Sequence, residues 1–133
     1  MATIKEDCVS FETAKLLKEK GFNEPCWFWY NPIGEFRRHY SKPAESSPCY
    51  ETACPTLQMA CKWLRIKHNL CVTPIMTSKV IREKYGCWEA NIYYYKGEFA
   101  GIDATINACG HIFGETPEDV LEEGIKYCLE HLI

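Results

Sequence analysis

The chain lacks the short signatures that most often mark an enzyme or a metal protein. No two of its nine cysteines are spaced C-x2-C, no glycine-rich loop could cradle a phosphate, and there is no G-x-S-x-G. No internal repeat and no linker divides it. No apolar run is long enough to cross a bilayer, and the start, Met1-Ala2-Thr3-Ile4-Lys5-Glu6-Asp7, is polar and of mixed charge rather than a signal peptide. The expectation is therefore a cytoplasmic protein, with reduced thiols and no membrane contact. The odd cysteine count also argues against a complete disulfide framework.

What remains is an ordinary soluble composition. At 133 residues, 47% hydrophobic and 25% charged, the chain has the size of a single domain, 1–133. Aromatic residues, at 14%, are plentiful and favour a sheet carrying large side chains. Basic residues are scarce in one region only. Residues 1–34, 35–84 and 85–133 carry net charges of −1, +5 and −7 within a total of −3. The middle is basic and the last third acidic, which suits internal complementarity or an anionic partner.

The stretch from Cys54 to Asn69 is central. Pro55 suits a first helical turn, Thr56 or Cys54 its flank, and Asn69 a left-handed closing residue. On a 100° wheel Leu57, Ala60, Cys61, Leu64 and His68 share one face. Gln58, Lys62 and Arg65 form a polar strip. Met59, Trp63 and Ile66 make a second apolar strip, so the helix is expected to lie between two layers, with the aromatic hairpin around Trp27 and Trp29 as the second. Left uncovered, that strip is a partner-binding patch.

The other elements follow from periodicity and punctuation. Ser10 reads as an N-cap for a helix over Phe11–Lys20, closed by Gly21 with Phe22 folding back on Leu17. Cys26–Tyr30 and Glu35–Tyr40 read as strands joined by the turn Asn31-Pro32-Ile33-Gly34. Residues 41–53 read as a surface loop. Leu70–Met76 is a strand that Pro74 places at an edge or ends early, and residues 77–85 suit either a short helix capped by Ser78 or more strand. Trp88–Tyr94 and Ile102–Ala108 alternate as strands around a turn at Lys96-Gly97-Glu98, and Gly110 marks a bend. Thr116 and Pro117 open a last helix whose apolar face holds Val120, Leu121, Gly124, Ile125, Cys128 and Leu132. Leu121, Ile125 and Cys128 are expected to pack on Ile102, Ala104 and Ile106. The predicted class is α+β: a largely antiparallel sheet of about five strands with three helices, in the order α-β-β-α-β-β-β-α.

The possible chemical constellations are weak. Cys49 and Cys54, with His68 and Cys71, are separated by a helix roughly 20 Å long at 1.5 Å per residue, too far for shared Zn–S bonds of about 2.3 Å. Cys109-Gly110-His111 places a thiol near a base without an orienting group. The paired carboxylates Glu118/Asp119 and Glu122/Glu123 lie on an exposed helix face. The sequence thus offers no catalytic residue, metal ligand or cofactor. Arg37 and Arg38, with Lys62 and Arg65, mix with aromatics as phosphate contact and base stacking require. The order helix, three strands, helix from residue 55 on also resembles double-stranded-RNA-binding modules and HicB-type antitoxins. A third possibility is a small-molecule site among Trp27, Trp29, Tyr30 and Trp63.

Three stretches carry a further likeness: Phe11-x-x-Ala14-x-x-Leu17-Lys18-x-x-Gly21-Phe22-Asn23-Glu24-Pro25-Cys26; Pro55-Thr56-Leu57-Gln58-Met59-Ala60 with Lys62-Trp63-Leu64-Arg65; and Glu123-Gly124-Ile125-Lys126-Tyr127-Cys128-Leu129-Glu130. In these the chain resembles a group of small proteins of unknown function encoded by gut Bacteroidales and their phages or mobile elements. The resemblance implies a bacterial or phage cytosolic setting and no activity or catalytic residues. The reading from sequence is a non-enzymatic module that binds another protein, with nucleic-acid binding as the alternative.

Overall fold

A computed structural model describes residues 7–47, 50–94 and 112–133. These gather into two compact units, Met1–Ala60 and Cys61–Ile133. Together they form an α+β protein with two three-stranded antiparallel sheets. Among the described residues no helix is long and apolar enough to cross a membrane.

In the first unit, helix α1 spans Phe11–Glu19. The Ser10 hydroxyl accepts from the Thr13 N–H at 3.2 Å, satisfying one of the orphan donors of the first turn. At the other end Gly21 takes the left-handed conformation (φ 96°) that an L side chain resists. Its N–H bonds to the Lys18 carbonyl and the Phe22 N–H to the Leu17 carbonyl. Phe22 and Leu17 are both buried, so the closing motif and its hydrophobic contact are those expected. Strands β1 (Phe28–Tyr30), β2 (Phe36–Arg38) and β3 (Thr52–Cys54) form a sheet in the order β2-β1-β3. Helix α1 packs against this sheet, with the Phe11 and Tyr30 rings 5.2 Å apart.

Strand β3 corrects the expectation of a loop over residues 41–53. Thr52-Ala53-Cys54 is too short to show a period, yet all three residues are buried. Pro55 also differs from expectation. It precedes helix α2 (Leu57–His68) instead of opening it, because its carbonyl is held in an extended pairing by the Val9 N–H. Thr56 flanks the helix, its hydroxyl accepting from the Met59 N–H at 3.1 Å. Asn69 closes α2 at φ 57°, as expected.

The second unit holds β4 (Leu70–Met76), helix α3 (Lys79–Tyr85), β5 (Trp88–Tyr94), β6 (Ile112–Gly114) and α4 (Pro117–Tyr127), the last continuing as a π-helical turn over Cys128–Leu132. The sheet order is β4-β5-β6. Among the described residues Pro74 therefore sits on an edge strand, where a missing N–H is tolerated, and the strand runs on to Met76 without ending early. Residues 79–85 are helical. The Thr77 N–H bonds to the Cys87 carbonyl and its hydroxyl to the Gly86 carbonyl at 2.7 Å, closing the chain beneath α3.

Among the described residues the class is the expected α+β, but the single sheet of about five strands is replaced by two sheets, and three helices by four. The two extra strands, β3 and β6, have three residues each, below the length at which alternation is visible. The expected strand Ile102–Ala108, the turn at residues 96–98, Gly110, and the packing of α4 on Ile102, Ala104 and Ile106 lie outside the described residues.

Helix α4 packs on the face of β4 and β5 that carries Val72 and Ala90. Ile125 and Cys128 are fully buried, while Leu121 is half-buried. Gly124 makes the approach possible: a Cβ there would lie 2.5 Å from Val72 Cγ1 and 3.5 Å from Ala90 Cβ. Gly124→Ala should gain about 1 kcal/mol of helix propensity and lose roughly 1–3 kcal/mol to overpacking against a stiff β-branched neighbour. Urea denaturation should show a net loss of up to about 2 kcal/mol on these terms. In a Val72→Ala background the same substitution should become stabilising. A stabilising effect in the parent would mean that helix and sheet do not meet at Gly124.

Candidate binding surface

The hairpin of β1 and β2 is set by its turn. The Asn31 side-chain carbonyl accepts from the main-chain N–H groups of Ile33 (3.1 Å) and Glu35 (2.9 Å), and Gly34 adopts φ 88°. Phe28 pairs with Arg38, Trp29 with Arg37 and Tyr30 with Phe36. Alternation then sorts the side chains onto two faces. One face carries Phe28, Tyr30 and Phe36, whose rings lie 5.0 and 5.6 Å from one another's centroids around Phe36. The Tyr30 hydroxyl donates to the Val9 carbonyl at 2.8 Å, so Tyr30 serves as a core anchor.

The opposite face carries Trp27, Trp29, Arg37 and His39. The Trp29 ring stacks on His39 at 5.8 Å and tilts against Tyr50 at 6.0 Å. His39 Nε2 is 3.7 Å from a Glu51 carboxylate oxygen. Arg37 is already engaged, with Nη2 3.0 Å from Glu35 Oε2. Asn31 donates to the same carboxylate, and these two partners, Asn31 first, hold the Glu35 carboxyl below its ordinary pKa. The Arg38 guanidinium lies over the Tyr40 ring at 5.9 Å.

The two edges of this sheet differ. On the β3 side the main chain is closed by the loop before it. The Ser46 hydroxyl accepts from the Ala53 N–H, the Ser47 N–H bonds to the Glu51 carbonyl, and Lys18 Nζ bonds to the carbonyls of Ser47 (2.6 Å) and Glu51 (3.2 Å). On the β2 side no strand follows among the described residues. The Asn31 N–H bonds to the Glu35 carbonyl and the His39 N–H to the Trp27 carbonyl. Glu35, Arg37 and His39 therefore face β1, and Phe36 and Arg38 turn their main-chain groups outward. All three residues of β2 are exposed.

Of the residues singled out from sequence, Trp27, Trp29, Met59, Arg37 and Arg38 belong to the first unit, and Trp63, Ile66, Lys62 and Arg65 to the second. The second apolar strip of α2 is unevenly covered, with Trp63 buried as expected and its two neighbours in the strip exposed. Trp63 is 6% exposed, but Met59 is 38% and Ile66 59% exposed. Met59 nevertheless meets the start of the hairpin, its sulfur 3.9 Å from Cys26 Sγ. The Trp63 ring lies edge-on to His68 at 4.8 Å, and burial holds the His68 pKa below its ordinary value. Lys62 is exposed and Arg65 half-buried.

Cys26, Cys54 and Cys61 are packing groups. Burial first, then Cys8 and Glu24, push the Cys26 thiol up to about 12, and the contact with Cys8, followed by burial, pushes Cys54 higher still. Cys54 Sγ donates to the Val9 carbonyl at 3.3 Å. In the second unit burial, with Cys71 nearby, raises Cys61 to about 11. A nucleophilic thiol requires the opposite environment. The described cysteines, 8, 26, 54, 61, 71, 87 and 128, are unbridged, and among the described residues no group of three His, Cys, Asp or Glu side chains could hold a metal ion. Cys49 and the Cys109-Gly110-His111 constellation lie outside the described residues. Comparison with protein-family models, curated proteins and solved structures finds no match.

The open β2 edge was not found from sequence. The only available signal was the shortness of the run between Gly34 and Pro43, with adjacent arginines in it.

Two measurements check this description. Trp63→Ala should cost about 3–5 kcal/mol of stability for a buried indole, whereas Ile66→Ala should stay within about 0.5 kcal/mol; equal losses would mean that the strip is misassigned. At pH 8, brief iodoacetamide treatment of the native protein should label the half-buried Cys8 and Cys87 well before Cys26 and Cys54, read by mass spectrometry. Early labelling of Cys26 would show that its thiol is accessible and not raised.

Proposed function

We propose that the chain is a cytoplasmic, non-enzymatic binding module whose partner is another protein, and that the β1–β2 hairpin is the surface it uses. The observation that carries this reading is the asymmetry of the first sheet. One edge is closed by Ser46, Ser47 and Lys18, while the other has no strand beside it among the described residues, with Phe36 47%, Trp27 46% and Tyr40 88% exposed around it. An uncapped edge with aromatic residues beside it suits strand addition by a protein partner. Aromatic side chains are also enriched at such interfaces.

The nucleic-acid reading receives less support. Arg37 already shares the Glu35 carboxylate, which leaves Arg38, over the neutral Tyr40 ring, as the one unbalanced cation of the hairpin, fewer than the several contacts that phosphate binding uses.

The test is capture from a native host with the parent and a Trp27→Ala/Phe36→Ser variant. Both residues are exposed, so circular dichroism should show an unchanged fold, while proteins retained by the parent should be lost. A variant that keeps every captured protein would move the binding surface elsewhere. Retention of nucleic acid that weakens steeply with salt, in place of protein, would favour the alternative.

A further inference from the structure

The open edge is more selective than its exposure suggests. Resting on the reading just given, we propose that β2 pairs with β2 of a second copy of this chain, antiparallel, with the two-fold axis at Phe36. The main-chain groups available are those of Phe36 and Arg38, since Glu35, Arg37 and His39 face β1. Antiparallel addition must oppose residues that face outward. An axis within the three residues of β2 therefore passes through Phe36, Arg37 or Arg38.

Charge separates the three registers. An axis through Arg37 sets Arg37 against the partner's Arg37, and one through Arg38 sets Arg38 against the partner's Arg38. Like charges directly opposite are destabilising. An axis through Phe36 opposes Phe36 to the partner's Phe36, and Arg37 to the partner's Glu35, twice by symmetry. The Arg37–Glu35 positions then form a pair that is not hydrogen-bonded through the main chain, the kind in which side chains approach most closely. Glu35 and Arg37 already lie 3.0 Å apart within one chain, with both side chains about half exposed. The pairing would join them into a four-charge cluster. On the other face Phe36 extends the Phe28–Phe36 stack across the axis. Adjacent arginines that would repel most strands brought to this edge thus leave one self-complementary register open, as an isologous dimer requires.

The test is sedimentation equilibrium across a concentration series reaching roughly 1 mM, the weak end of specific association. The parent should rise from the mass of one chain toward that of two. Glu35→Arg alone and Arg37→Glu alone should each weaken the dimer by about tenfold or more, because two favourable pairs become two repulsive ones. Mixing these two variants should restore a dimer, since every opposed pair is then of opposite sign. The double variant, with both charges exchanged, should also dimerise by itself. Circular dichroism of each variant confirms the fold, and if one single variant fails to fold, the double variant remains decisive. A parent that stays monomeric throughout, a dimer indifferent to the single exchanges, or no restoration in the mixture or the double variant overturns the proposal. A monomeric parent that still captures a protein lost by Trp27→Ala/Phe36→Ser would leave the binding reading standing with a different partner. Loss of both would end both.

Discussion

A three-stranded sheet has two outer edges, and the main-chain groups along them must be paired or hydrated. In the first unit nearly all the local structure around β3 meets that constraint. The segment over Ser46 and Ser47 turns back so that a hydroxyl, a main-chain amide and the Lys18 ammonium reach the edge. Because Lys18 comes from α1, the helix packed on the sheet is tied to the loop that seals it. The Val9 amide, just before α1, holds the Pro55 carbonyl, just after β3. The closure thus fixes α1, β3 and the entry to α2 together. The β1–β2 hairpin needs none of this, being held by its Asn31 turn and its own ladder. That division of labour leaves β2 without a further strand beside it among the described residues.

The thiols show how composition can mislead about chemistry. Nine cysteines invite metal and redox readings. Yet those near the first sheet lie against carbonyls, one another and a methionine sulfur. They fill space as small apolar groups with weak donors. Burial disfavours the thiolate and so keeps them out of nucleophilic chemistry.

Much of the architecture was legible wherever a residue type had one physical use. Ser10, Gly21, Asn69 and Thr116 each stand where their capping chemistry predicts, and Gly124 marks close approach to a sheet. Pro74 marked what is, among the described residues, an edge strand. These inferences work because caps, left-handed residues and edge prolines are decided within a few residues. The three-residue strands β3 and β6 were not legible, since no alternation can be read over so short a span. The Met59–Trp63–Ile66 strip exposed a different limit. A helical wheel shows which side chains share a direction, but not where coverage ends, and here Trp63 is covered while Met59 and Ile66 on either side of it are exposed. The candidate surface was legible in its ingredients, Trp27, Trp29, Arg37 and Arg38. Its arrangement depends on register and on which edge the Ser46–Ser47 segment covers, and both are long-range outcomes.

The closure beneath α3 has a consequence for how this chain tolerates change. Met76 pairs with Trp88, and Thr77 continues the pairing through Cys87 and Gly86. The ladder of β4 and β5 is thus complete before α3 begins. Helix α3 is an excursion from a finished hairpin, and its length is not a requirement of the sheet. Additional residues, a shorter turn or a new terminus could be placed within Lys79–Tyr85 without breaking a pairing between the strands. In the evolution of such a chain, or in its use as a scaffold, this is a place where sequence can be added without unpairing β4 and β5, provided the Tyr85 ring keeps its stack on Phe113.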